Sequence, residues 1–150
     1  ISSYGELESK LNAVSARRDT AHAEIKRIES RSAELALVMK HAGTYRQLKP
    51  LYERYRKSND KEKFLRGHES EIILFEAAAR ELKRLGTVPL PTTESMKTEL
   101  AKLNTEKERL LTEYKTARTE AQEYDTVKQN VDALLTVPKE QEQQRRHELE

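Results

Sequence analysis

The chain has 150 residues, enough for one domain, with 35% hydrophobic residues, 36% charged residues and a net charge of +2. A compact globule of this length is usually more apolar, and a near-neutral chain has no global basic field to draw it to nucleic acid. The absence of cysteine excludes disulfides, thiolate metal sites and a cysteine nucleophile.

Charge-rich, Gly-poor and aromatic-poor composition suits long helices that each bury one narrow stripe. Disorder is the competing reading for such a composition. Regular spacing of the apolar residues decides for helices. A start at Ile1 rather than Met reads as a piece excised from a longer protein. No apolar run approaches the ~18 residues a membrane helix needs.

In chain order, Ser3-Tyr4-Gly5-Glu6 fits a capping box, with Ser3 accepting a free backbone N–H and Glu6 reaching back. A stripe then runs through Leu7, Leu11, Val14, Arg18, Ala21, Ile25, Ile28, Ser32, Leu35, Met39 and Ala42 in unbroken 4,3 steps. A sustained 3.5-residue period is the seam of a coiled coil. The spacing predicts a long helix over 4–42, with Gly43 as a C-terminal stop.

The middle segment breaks this pattern. Tyr45, Leu48, Tyr52 and Tyr55 make a short helical stripe containing Pro50, which either opens a new helix or kinks a continuous one. Asn59-Asp60-Lys61-Glu62 reads as another cap. The helix from Glu69 to Leu85 is the most apolar, with Ile72, Ile73, Leu74, Phe75, Leu82 and three consecutive alanines. A face wider than one seam predicts neighbours on more than one side, and Gly86 is its stop. The reading is a small helical head over 44–85.

After Pro89-Leu90-Pro91, Thr92 or Thr93 is positioned to cap the last long helix, over 93–136. Its stripe is Met96, Leu100, Leu103, Lys107, Leu110, Tyr114, Ala117, Ala121, Tyr124, Lys128, Val131 and Leu135, again in 4,3 steps, closed by Pro138. Leu111, Val127 and Leu134 widen the face and suggest a second neighbour. Residues 139–150 form a polar tail. The polar exceptions Arg18, Ser32, Lys107 and Lys128 share the a position, where such residues cost stability and fix register. The expected architecture is all-α: a single helical domain over 1–138, an elongated antiparallel coiled-coil hairpin of two matched helices, each about 60 Å long, with the head between them. Self-pairing of each helix in a parallel dimer is the alternative.

Chemistry is sparse. The histidines His22, His41, His68 and His147 are scattered, with no H-x-H or H-x-x-x-H pair for a metal. No Ser/His/Asp arrangement, nucleophile elbow or Gly-rich phosphate loop is present. The expectation is no catalytic residue, metal, cofactor or small-molecule substrate. One segment stands out. Residues 45–68 hold eight cations against Glu53, Asp60 and Glu62, a local excess of five, while the rest of the chain sums to −3. Tyr45, Tyr52, Tyr55 and Phe64 are interleaved. Cations for phosphates beside π faces for bases are what a single strand needs. Arg46, Lys49, Arg54, Tyr55, Arg56, Lys57, Lys61, Lys63 and Arg66 are therefore the candidate nucleic-acid contacts. The competing reading makes the tyrosines the packed face of a short helix and the cations its solvated back.

The run from Leu51-Tyr-Glu-Arg-Tyr-Arg-Lys-Ser-Asn-Asp60 through Phe64-Leu-Arg-Gly-His68 to Ile72-Ile-Leu-Phe-Glu-Ala-Ala-Ala79 has a distinctive order of short motifs. So do Leu90-Pro91, Glu113-Tyr114-Lys115 and Asn130-Val131-Asp132-Ala133-Leu134-Leu135. Together with the opening Ile1-Ser-Ser-Tyr4, they resemble the C-terminal helical region of relaxases, the mobilisation nucleases of Gram-positive conjugative and mobilisable elements. The resemblance spans roughly residues 1–135. It implies a cytoplasmic module lying outside the tyrosine- and metal-bearing nicking domain, whose catalytic residues have no counterpart here. The partners it implies are single-stranded DNA, other relaxosome proteins, the coupling protein or a second copy of the chain, with no membrane role.

Overall fold

The computed structural model describes residues 3–87 and 89–149, with side chains up to position 136. The opening Ile1-Ser2 and the side chains of the polar tail lie outside the described residues. Three helices follow in order: α1 (Tyr4–Lys57), α2 (Lys61–Arg84) and α3 (Thr93–Leu149). The described residues are all-α, and none of their helices is long and apolar enough to cross a membrane.

Caps account for the helix starts. The Glu6 N–H donates to Ser3 Oγ at 3.1 Å, the Lys63 N–H to Asp60 Oδ1 at 3.1 Å, and the Ser95 N–H to Thr92 Oγ1 at 3.1 Å. Each side chain satisfies a donor that has no partner within its helix. Thr92, not Thr93, is thus the cap of α3. α2 ends in a Schellman turn: Gly86 sits at φ 70°, its N–H donates to the Lys83 carbonyl and the Thr87 N–H to the Leu82 carbonyl.

Two helix boundaries differ from the sequence reading. α1 does not stop at Gly43 but continues to Lys57, so the first half of the expected head is the end of the first long helix. Pro50 lies inside it. An interior proline costs about 3 kcal/mol in isolation. Here Tyr45 and Tyr52, on either side of Pro50, both stack on the Phe75 ring of α2, at 4.8 and 4.3 Å between centroids. One aromatic anchor thus clamps the helix across its weak point. Likewise Pro138 does not close α3, which is helical to Leu149.

The chain divides into two compact units. One comprises Ile1–Arg27 with Glu106–Glu150. Its core holds Val14, Ala117 and Ala121, with Leu11 and Tyr124 packed against them. Small alanines let the helices approach closely. Glu8 meets Lys128 at 3.8 Å, Arg17 meets Glu120 at 3.9 Å, and the His22 and Tyr114 rings lie 5.7 Å apart. Numbers rise on α1 as they fall on α3, so the two segments run antiparallel. Three of the four polar seam residues, Arg18, Lys107 and Lys128, are half-buried here, their stems covering the seam while their charges reach water.

The other unit, Ile28–Thr105, contains all of α2. Ile28, Leu35, Val38 and Ala42 of α1, Ile72, Phe75, Ala78 and Leu82 of α2, and Met96 and Leu103 of α3 are buried. Val38 lies beside the seam rather than on it, as expected where a second helix joins the first. Arg31 grips Glu99 through Nε at 2.9 Å and Nη2 at 3.2 Å, and Glu34 through Nη1 at 3.1 Å. The buried stripe of α2 is narrower than its composition suggested. Ile73 and Leu74 are 53% and 55% exposed, so α2 is not sandwiched. Leu111, Val127 and Leu134 are also exposed, and no second neighbour covers them among the described residues.

Candidate nucleic-acid interface

The nine candidate residues all fall in the second unit, around the turn joining α1 to α2. Arg46, Lys49, Arg54, Tyr55, Arg56 and Lys57 lie on the last three turns of α1, and Lys61, Lys63 and Arg66 on the first two of α2. Ser58, Asn59 and Asp60 separate the helices. Three cations at the end of α1, Arg54, Arg56 and Lys57, also face the negative end of its helix dipole, which steadies them there.

The aromatic rings form a continuous packed row. Tyr45 and Tyr52 stack on Phe75, Tyr52 contacts Tyr55 at 5.8 Å, Tyr55 contacts Phe64 at 6.0 Å, and Phe64 contacts His68 at 4.6 Å. Offset contacts of this kind contribute about 0.5–1.5 kcal/mol per pair beyond burial. Tyr55 is half-buried and packs at an angle against the Tyr52 and Phe64 rings. Phe75, which the sequence reading assigned only to an apolar helix, is the hub of the row. Its i±3 and i+7 relation to Ile72, Ala78 and Leu82 was the available signal. His68 departs from helical geometry at φ −137°, ψ 28°, beside Gly67, and its ring lies 4.6 Å from that of Phe64, four residues earlier.

The cations divide by what they already touch. Arg46 donates to Thr93 Oγ1 at 2.9 Å and to the Pro91 carbonyl, so it anchors the start of α3. Lys49 lies over the Tyr45 ring and Arg54 over the Phe64 ring, each at 5.7 Å. Arg56 meets Glu53 at 3.6 Å, and Arg66 Nε donates to the Glu62 carbonyl at 3.4 Å. Lys57, Lys61 and Lys63 are exposed, and their side chains make no ion pair or hydrogen bond among the described residues. Of the two carboxylates beside them in sequence, Asp60 is engaged as the α2 cap, while Glu62 stands between Lys61 and Lys63. These three lysines form the freest positive surface of the turn. Beside it, an open groove of about 460 Å³ is lined by Tyr45, Tyr52 and Phe75 with Arg56 and Arg80, but also by Glu53 and Glu76. That balance of charge makes the groove itself a poor anion site.

No cluster of three or more potential metal ligands occurs among the described residues. No protein-family model, curated protein or solved structure matches the chain.

Proposed function

We propose that the chain is a non-catalytic accessory module of a conjugative relaxase that helps hold the transferred strand in the cytoplasm, contacting its phosphates through the basic turn between α1 and α2. The observation that carries the DNA contact is the concentration of Lys57, Lys61 and Lys63 on the helix ends flanking one short turn, with Arg54, Arg56 and Arg66 close by in sequence. Committed packing of the aromatic row favours phosphate contact over base stacking, so binding is weakly selective for sequence. The relaxase context rests on the ordered motifs described above. The scaffold in this reading is an antiparallel coiled-coil hairpin of α1 and α3. The Glu8–Lys128 and Arg17–Glu120 pairs in one unit and the Arg31–Glu99 pair in the other support it.

The test is anisotropy of a labelled single strand across a salt series. Releasing counterions from three phosphates gives log K a slope of about −2 against log salt. Replacing Lys57, Lys61 and Lys63 by Ala should remove about that much slope. Binding with no salt dependence, or unchanged by the triple substitution, refutes the assignment.

A second reading, a protein-interaction scaffold for relaxosome proteins or self-association, is favoured by one observation: Ile73 and Leu74 stand side by side and exposed on α2. It predicts a concentration-dependent dimer in sedimentation or light scattering that Leu74→Lys abolishes.

A further inference from the structure

The first unit contains a second concentration of cations that the basic turn does not include. Arg18, Asp19 and His22 of α1 and Tyr114, Arg118 and Gln122 of α3 line one depression of about 340 Å³. Arg18 and His22 are four residues apart on one helix, and Tyr114, Arg118 and Gln122 repeat that step on the other. Each set therefore forms a ladder on a single helix flank.

The charge arrangement is unusual for this unit. Elsewhere its cross-helix contacts set a cation against an anion, as in Glu8 with Lys128 and Arg17 with Glu120. Here Arg18 and His22 from α1 share a depression with Arg118 from α3, and the lone carboxylate lining it, Asp19, is held by Arg18 Nε at 3.1 Å. Arg118 is exposed and has no ion pair or hydrogen bond among the described residues. The His22 and Tyr114 rings pack at 5.7 Å, which brings an imidazole and a phenol together in the same depression. The remaining guanidinium N–H groups, the phenol and the Gln122 amide offer several donors against few acceptors. Arg18 and Arg118, from different helices, bring two positive charges to the depression against the single negative charge of Asp19. Guanidinium forks match a tetrahedral oxyanion well.

We propose that this depression is an oxyanion site that binds a phosphate group, with Arg18 and Arg118 as its charged ligands and His22, Tyr114 and Gln122 as polar ones. The group belongs either to a nucleic-acid backbone or to a free phosphate or small phosphate ester. The site is independent of the basic turn, so its test stands apart from that of the proposed function.

The experiment is an amide and imidazole NMR titration of the full chain with sodium phosphate, against sodium chloride at equal ionic strength. Saturable shifts confined to the segments around 18–22 and 114–122 are expected with phosphate only. Arg118→Gln, an exposed position whose helicity is checked by circular dichroism, should weaken binding about tenfold, as loss of a charge-assisted bond does. Arg17→Gln, on the opposite flank, should leave it unchanged. A parallel titration with a short oligothymidylate assigns the source: shifts at the same residues point to a nucleic-acid backbone, and shifts with phosphate alone to a free phosphate. Equal responses to phosphate and chloride, or equal weakening by Arg17→Gln and Arg118→Gln, overturn the proposal.

Discussion

Phe75→Ala tests the central packing claim, that the aromatic residues of the basic segment are structural. Phe75 is 5% exposed and stacks on both Tyr45 and Tyr52. A buried phenylalanine removes about 150–250 Å² from water, which at about 25 cal/mol per Å² gives roughly 4–6 kcal/mol as an upper bound. Alanine retains part of that, so the expected loss is about 3–5 kcal/mol, the range seen for large-to-small core changes. The loss should be local as well as global. Pro50 lies between the two tyrosines that Phe75 anchors, so amide exchange should accelerate over 45–57 and 69–84 well before 110–121 is affected. Urea unfolding followed by near-ultraviolet circular dichroism gives the magnitude, and peptide-resolved hydrogen exchange gives the location. Phe75→Leu, which keeps most of the volume without the π face, should lose about half as much. A cost below about 1 kcal/mol, with exchange over 45–57 unchanged, refutes the structural role of this ring cluster.

Two glycines should respond in opposite directions. Gly86→Ala should cost about 1 kcal/mol, because φ 70° suits glycine while a Cβ there would meet nothing within 4 Å, leaving backbone strain as the penalty. Gly43→Ala, inside α1 with equally open surroundings, should stabilise by about 0.5–1 kcal/mol; urea midpoints of the two variants check both signs. The Tyr4 hydroxyl is pushed up to about 12, chiefly by the neighbouring Asp132 carboxylate. A folded value above the unfolded one means that its contribution is fully present below pH ~10 and is lost as pH rises through about 12; a tyrosinate absorbance titration should lose its highest step in Tyr4→Phe and shift it downward in Asp132→Asn. The Glu81 carboxyl is held below its ordinary range, chiefly by its hydrogen bond to Arg84. Its contribution is present above the usual glutamate value and lost as pH falls through the lowered one; carboxyl NMR should show that titration return to the ordinary range in Arg84→Gln. Arg31→Met should cost about 0.5–1 kcal/mol in urea unfolding, a modest figure because both partners of the fork are roughly two-fifths exposed.

Much of the local structure was legible in the residues. The 4,3 stripes on α1 and α3 marked the buried faces, and Val14, Ala21, Ile25, Ile28, Leu35, Leu103, Leu110, Ala117 and Ala121 are all buried. Ser3, Asp60 and Thr92 were readable as caps and Gly86 as a stop, because each acts within a few bonds of its own backbone. The candidate site was legible only as a charge excess. Charge is additive along a chain, so the excess over 45–68 is a property of order alone. Whether Arg46 is free or spent on Thr93 and Pro91 depends on a residue 45 or more positions away.

By itself, then, the order of residues determined that the chain is helical, which face of each helix is apolar, and where positive charge concentrates. These follow from period, caps and counting, all short-range quantities. Tertiary structure decided that α1 runs through Gly43 and Pro50 to Lys57, that Ile73 and Leu74 stay in water, and that Tyr45 and Tyr52 stack on Phe75. The physical reason is the same in each case. Helix-breaking costs at single residues amount to about 1–3 kcal/mol, and a ring such as Phe75, reaching from another helix, supplies a comparable energy that no local pattern records.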